Sequence, residues 1–290
     1  MAYGNSYDLS YKCFWKMTGM GKEKEMKLFI SADIEGVTDV TGWSETNYGE
    51  KGYEEACRQM TLETAAACEA ALEEGYEVVV RDGHGDARNV IASSLPQGVK
   101  LIRGWMATPA SMMSGLDDTF DGVMYIGYHA PAGCNQSPLA HTVSGSKFME
   151  IRINGQTVSE FSMNSMWADY RKVPSLLITG DEEICRQAQT EYPGIEICPV
   201  KRGIGSGTYN LHPQDAISKI KTMAKKALCE KAQLRNLPDH FRLELVFRKH
   251  ADARSASWYP GAELVDAHTV AFESEDYFKM SVAFMFMSGL

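Results

Sequence analysis

The apolar positions of this chain fall into short unbroken runs set between longer amphipathic stretches. Met26 to Ala32 is apolar almost throughout, the pattern of a strand covered on both faces. Lys51 to Glu74 follows, with Met60, Ala65, Cys68 and Leu72 at helical spacing on one side and Gly75 placed to end the helix. Val78 to Val80, Val99 to Ile102 and Gly122 to Gly127 read as further buried strands. Each gives way to polar, glycine-bearing sequence. Strands alternating with helical patterns predict a parallel α/β sheet.

From His141 the rhythm changes. Lys147 to Ile153, then Asn154-Gly155, then Gln156 to Val158 predict a hairpin with a tight turn. A helix is expected over Glu160 to Arg171, a strand over Ser175 to Thr179, a helix over Asp181 to Glu191 and a strand over Ile195 to Val200. Pro213 to Ala232 predicts a long basic amphipathic helix. Phe241 to Phe247 alternates as a strand does, Thr269 to Phe272 reads as another, and Asp276 to Met287 reads as a closing helix. The fold class expected is α/β: a mostly parallel three-layer αβα sheet domain with a smaller α+β unit. Residues 1–25 are read as a flexible N-terminal extension, 26–237 as the α/β domain and 238–290 as the smaller unit, with the cut at Leu237-Pro238.

Composition narrows the partners. The chain has 290 residues, 44% hydrophobic and 23% charged, enough to bury a core without staples. A net charge of −9 and a pI of about 5.3 argue against nucleic acid or an anionic membrane surface as partner. No run approaches the roughly 18 apolar residues of a membrane span, and the N-terminus carries no secretory pattern. Cys13, Cys57, Cys68, Cys134, Cys185, Cys198 and Cys229 are scattered and odd in number. That fits reduced thiols and a cytoplasmic location.

In a parallel α/β sheet, ligands bind beyond the carboxyl ends of the strands. Those ends carry Asp33 and Glu35, then Asp82 and His84, then His129. Carboxylate and imidazole together suit a divalent transition metal, zinc above all. Taken singly each has a plainer reading: Asp33 as a helix cap, Asp82 as a turn former, the histidines as structural residues. Convergence on one sheet edge is what favours a metal site. By pattern alone His141 is a surface-loop histidine or a free acid–base group, and Glu160 an acid placed by the helix dipole. His212, His240, His250 and His268 have no partners at ligand spacing and read as structural or exposed. Gly203 to Gly207 lacks the ending of a phosphate loop and reads as a flexible loop near the site. Met106, Met112, Met113, Met163 and Met166 read as packing.

Several ordered motifs together carry a resemblance. Ser31-x-Asp33-x-Glu35-Gly36, Asp82-Gly83-His84, Gly127-Tyr128-His129-Ala130, the His141 segment and Asn154-Gly155 to Glu160 occur in the order found in the D-aminopeptidases of peptidase family M55, the DppA type. Gly115 to Phe120, Glu160 to Asn164, Val173-Pro174, Thr179 to Asp181 and Val200-Lys201 extend the resemblance, which runs from Met26 to about Ala232 and more weakly beyond. It implies two Zn²⁺ ions per chain held by Asp33, Glu35, His84, His129 and Glu160, with His141 as the catalytic histidine. That overrides the plainer readings of Glu160 and His141. Gly83 stands where the family usually has serine, and Cys134, Asn135 and Gln136 fall in a departing loop between His129 and His141.

The activity so implied is hydrolysis of short peptides with an N-terminal D-residue, D-Ala above all, by a zinc-activated water. His141 would protonate the leaving amine, or act as base or nucleophile, and Asp33 would bridge the metals. The family also implies a ring-like homo-oligomer, a decamer. Two alternatives remain open: a metallo-amidohydrolase or L-peptide aminopeptidase of the same fold, and a non-enzymatic peptide-binding accessory of dipeptide transport.

Overall fold

The computed structural model describes residues 25–230 and 233–289. The expected N-terminal extension up to residue 24, and the end of the helix predicted to reach Ala232, lie outside them. The chain runs β1 (Met26–Ala32), α1 (Tyr53–Glu73), β2 (Tyr76–Asp82), β3 (Lys100–Ile102), β4 (Gly122–Tyr128), β5 (Phe148–Ile153), β6 (Gln156–Thr157), α2 (Glu160–Tyr170), β7 (Ser175–Asp181), α3 (Glu182–Glu191), β8 (Glu196–Ile204) and β9 (Gly207–Asn210). It continues through α4 (Pro213–Cys229), β10 (Phe241–Phe247), α5 (His250–Ala256), β11 (Glu263–Leu264), β12 (Thr269–Ser274) and α6 (Tyr277–Ser288).

Seven strands form one sheet in the order β3-β2-β1-β4-β7-β8-β9. All its pairs are parallel except the last, where β9 folds back on β8. Both faces are covered, as the unbroken apolar runs require. Leu28, Ile30, Val78, Val80, Met124 and Ile126 pack on one side against α1 and α4, where a run of alanines in α1 lets the helix lie close. Phe29, Val79, Tyr125 and Ile178 face the other way, toward α2, α3 and the second sheet. The expected three-layer α/β arrangement is thus the observed one. The second sheet is antiparallel, in the order β11-β12-β10-β5-β6. It draws β5 and β6 from well before Leu237-Pro238, so it is not made from the C-terminal segment alone.

Two expectations are corrected. The Gly203 to Gly207 segment is a hairpin, pairing Gly203 with Thr208 and Ile204 with Gly207, not a loose loop. Gly203 lies so close to the loop after β4 that an added Cβ would sit 2.1 Å from the Gln136 carbonyl oxygen, and its N–H donates to that same oxygen. Among the cysteines, Cys57, Cys68, Cys134, Cys185 and Cys198 are free thiols, whereas Cys229 is disulfide-bonded.

The strand ends that matter for function are locked by backbone contact. The β1–β4 ladder continues past the strand as Asp33 N–H donates to Ile126 and Gly36 N–H to Gly127, both at 2.8 Å. A Cβ on Gly36 would lie 1.7 Å from the Tyr128 carbonyl oxygen, and one on Gly180 would lie 1.8 Å from the same atom. Glycine is required there because backbone meets backbone. Gly36→Ala is expected to destabilise by about 1–3 kcal/mol or to prevent folding, read as a lowered urea midpoint. A midpoint equal to the parent's would show that the strand ends can move apart.

Candidate metal centre

Each sequence-predicted ligand is delivered by the end of an element. Asp33 and Glu35 follow β1, with Ile34 between them fully buried in the core on the other side. The turn that follows β1 brings both carboxylates to one place, each within 3.3 Å of His84 Nδ1. His84 follows β2, His129 follows β4, and Glu160 opens α2 directly after its cap, Ser159, whose Oγ accepts from Ser162 N–H. His141 comes from the loop between β4 and β5.

The six side chains meet. His84 Nδ1 lies 3.3 Å from Asp33 Oδ1 and 3.1 Å from Glu35 Oε2. His129 Nε2 lies 3.5 Å from Asp33 Oδ2 and 3.4 Å from Glu160 Oε1. His141 Nε2 lies 3.6 Å from Glu160 Oε1, and its ring stacks on that of His129 with centroids 4.2 Å apart. Asp33 stands in the middle, one oxygen toward each histidine. All three carboxylates are buried, Asp33 to 2% exposure.

The outward nitrogens of all three imidazoles are fixed by backbone carbonyls. His84 Nε2 donates to Thr46 at 2.7 Å, His129 Nδ1 to Ala130 at 3.0 Å and His141 Nδ1 to Leu139 at 2.9 Å. A carbonyl only accepts, so these nitrogens carry the hydrogen, and in the neutral ring the other nitrogen presents its lone pair to the carboxylates. This is the arrangement that orients ligating histidines. Asp33 Oδ2, Glu35 Oε2 and His129 Nε2 are buried with no hydrogen-bond partner. Orphaned polar atoms of this kind cost on the order of 1–3 kcal/mol each, and a divalent cation among them would satisfy all three. The donor set is the oxygen-and-imidazole mixture zinc accepts. Asp33, Glu35 and His129, and separately His129, His141 and Glu160, lie close enough to share an ion. The residues fit the metal.

Without cations the cluster holds protons instead. Burial, then the charge of Glu35, pushes the Asp33 carboxyl up to about 8. Burial opposes charge on His129, yet Glu160 and Asp33 raise it to about 10, and Glu35 and Asp33 likewise raise His84 against its burial. Glu160, despite burial, is drawn down to about 2 by His129, and Glu35 is drawn down by His84. His141 moves the other way, lowered by burial and by the neighbouring His129.

The plainer reading of Asp82 holds. Its carboxylate accepts from Asn89 N–H and Val90 N–H, shaping the turn behind His84. His212 accepts from Gln214 N–H at the start of α4, and His240 pairs with Glu273 on the surface, away from the centre. The sequence gives no hint of Val143. Its N–H donates to Glu160 Oε1 at 2.7 Å and its φ is +64°, a strained value for a β-branched residue. Ser144 N–H closes a γ-turn on Thr142 at 2.7 Å around it. The cleft over the centre has a volume of about 690 Å³, with Trp43, Tyr48, Trp105, Met112 and Val143 among its walls. Trp43 sets its edge against His141 at 5.2 Å.

Buried carboxylates and oriented imidazoles at the carboxyl edge of a parallel sheet, under an open cleft, define a metal-dependent hydrolase. More narrowly, the model of peptidase family M55, described as D-aminopeptidase, matches residues 26–286, and the chain belongs to that family. It is 31% identical over 273 residues to a D-aminopeptidase of Bacillus subtilis strain 168, covering 91% of this chain and 97% of that one. The solved structure of the Zn-dependent D-aminopeptidase DppA from Bacillus subtilis, a self-compartmentalizing protease, matches with a TM-score of 0.86 at 30% identity, over 91% of this chain and 97% of that one. The resemblance carried by the motifs is therefore a family membership.

Two measurements test the centre. Asp33→Ala is expected to lose stoichiometric zinc after dialysis, by elemental analysis, while keeping its circular dichroism; metal retained with stability lost returns Asp33 to a capping role. Binding must also displace protons from Asp33, His84 and His129. Affinity should therefore rise with pH from 6 toward 8, and calorimetry in buffers of differing ionisation enthalpy at pH 7 should show at least about one proton released per chain. No release would mean the ligands are already deprotonated.

Proposed function

We propose that the protein is a two-zinc D-aminopeptidase that removes the N-terminal D-residue, D-Ala above all, from short peptides. The observation that carries this reading is the position of Asp33. Its two oxygens face different histidines, so it is shared between two donor sets, Asp33–Glu35–His84 and Asp33–His129–Glu160. Zinc bound there supplies Lewis acidity, polarising a carbonyl and making water acidic enough to attack it near neutral pH.

The rest follows from the chain's own groups. The His141 imidazole, lowered in basicity and held by Leu139, is neutral at pH 7 with Nε2 turned toward the centre. A neutral imidazole there can take a proton from the attacking water and return it to the leaving amine. Trp43 and the stacked His129 ring fix its plane. A peptide's terminal ammonium complements the buried carboxylates, which supports cutting at the N-terminus. We assign zinc as the native metal and short D-peptides as the substrates.

A cytoplasmic location and a ring-like homo-oligomer, a decamer, belong to the same proposal. The oligomer is supported by the description of the Bacillus subtilis relative as self-compartmentalizing. No described helix is long and apolar enough to cross a membrane.

Side-by-side kinetics on D-Ala-D-Ala and D-Ala-Gly-Gly against the L-isomers should favour the D-peptides. Zinc-replete protein inactive on all of them would overturn the reading. His141→Ala should lower kcat by about 10²–10⁴-fold with both zinc ions retained. Loss of metal instead would make His141 a ligand.

A further inference from the structure

Lys201, on β8, is the one buried lysine or arginine in contact with the turn after β1 among the described residues. It is 4% exposed. Its ammonium donates to the carbonyl oxygens of Glu35 and Val40. It makes no direct ion pair among the described residues; Asp181, Glu63, Glu35 and Glu45 act on it through space. A buried ammonium satisfied only by carbonyls is costly to keep, so its place calls for a reason.

The turn it holds is Glu35 to Val40, which leaves β1 and carries the second ligand. Other contacts pin that turn from the side: Gly36 N–H to Gly127, Thr38 N–H to Glu63 Oε1, and Thr38 Oγ1 to the Leu211 carbonyl. Those contacts do not touch the Glu35 carbonyl. Lys201 does, drawing that oxygen toward β8. The peptide plane of a ligand residue helps set the direction of its Cα–Cβ bond, so holding the Glu35 carbonyl narrows the range over which its carboxylate can point. We propose that Lys201 is the positioning residue that aims the Glu35 carboxylate at the metal, by gathering the Glu35 and Val40 carbonyls from beneath the turn. It touches neither the cleft nor the reacting atoms.

The proposal rests on the two-ion reading but is tested separately from it. Zinc affinity is measured by chelator competition on the metal-free parent and on Lys201→Met, together with the melting temperature of each without metal. The parent's stoichiometry tests the two-ion reading; fewer than two ions per chain overturns that reading. The variant-to-parent ratio tests Lys201. The expected result is a loss of about 10–100-fold in the affinity of one ion, the range for residues supporting a ligand, with the other ion held within about threefold. A lowered melting temperature with zinc affinity unchanged would make Lys201 merely structural and overturn the proposal. Equal weakening of both ions would overturn it too. Should Lys201→Met not fold, Lys201→Gln keeps a donor without the charge. It is expected to lie between parent and the stated loss with the deficit confined to one ion, and a deficit shared equally by both ions overturns the assignment.

Discussion

Three carboxylates packed together out of water are the constraint on which the rest depends. Asp33, Glu35 and Glu160 are each all but inaccessible, and charges of one sign in a low-dielectric interior repel strongly. Such a cluster persists only if a proton neutralises one of them, as at Asp33, or positive charge stands among them. Histidines supply part of it, and orphaned oxygens and a bare imidazole nitrogen show where more belongs. Folding and ligand binding are in this sense one problem. The sheet can close around these acids where cations or protons offset their charge.

The fold meets that constraint with backbone rather than with long side chains. Parallel topology brings the ends of β1, β2 and β4 to one edge, and the turn after β1 carries Asp33 and Glu35 to the same His84 ring. Backbone carbonyls then fix each imidazole from behind. Glu160 comes from a different layer. It is capped into α2 by Ser159 and steadied by the strained Val143 amide. The centre is therefore the seam between the parallel sheet and the elements that follow it.

Much of this was legible in the sequence because it rests on local signals. Apolar runs marked the buried strands β1, β2 and β4, and also β3, which is instead a short edge strand with none of its residues buried; Asn154-Gly155 marked the β5–β6 turn, and strand ends exposed the ligand-type residues. What the residues alone could not show was Glu160 and His141. A glutamate at a helix start and a histidine in a loop look ordinary until folding brings them to the same place, and only the order of motifs pointed to them. β9, α5 and β11 escaped because they are short and carry no strong period. Val143 and Lys201 escaped for another reason. Their roles lie in a main-chain torsion and in two carbonyls distant in sequence, and neither leaves a mark on residue type.

The crowding of Gly36 and Gly180 onto the Tyr128 carbonyl oxygen bears on how such a protein can diversify. Gly36 follows Glu35 and Tyr128 precedes His129, so these two positions are gauged against each other through one atom and cannot drift one at a time. The aromatic walls farther from His141 are under no such gauge, since Tyr48 and Trp105 project from segments outside the sheet. Substitution can remodel what enters the cleft while the chemistry beneath it stays put. Reactivity and selectivity are in this fold separately inheritable traits.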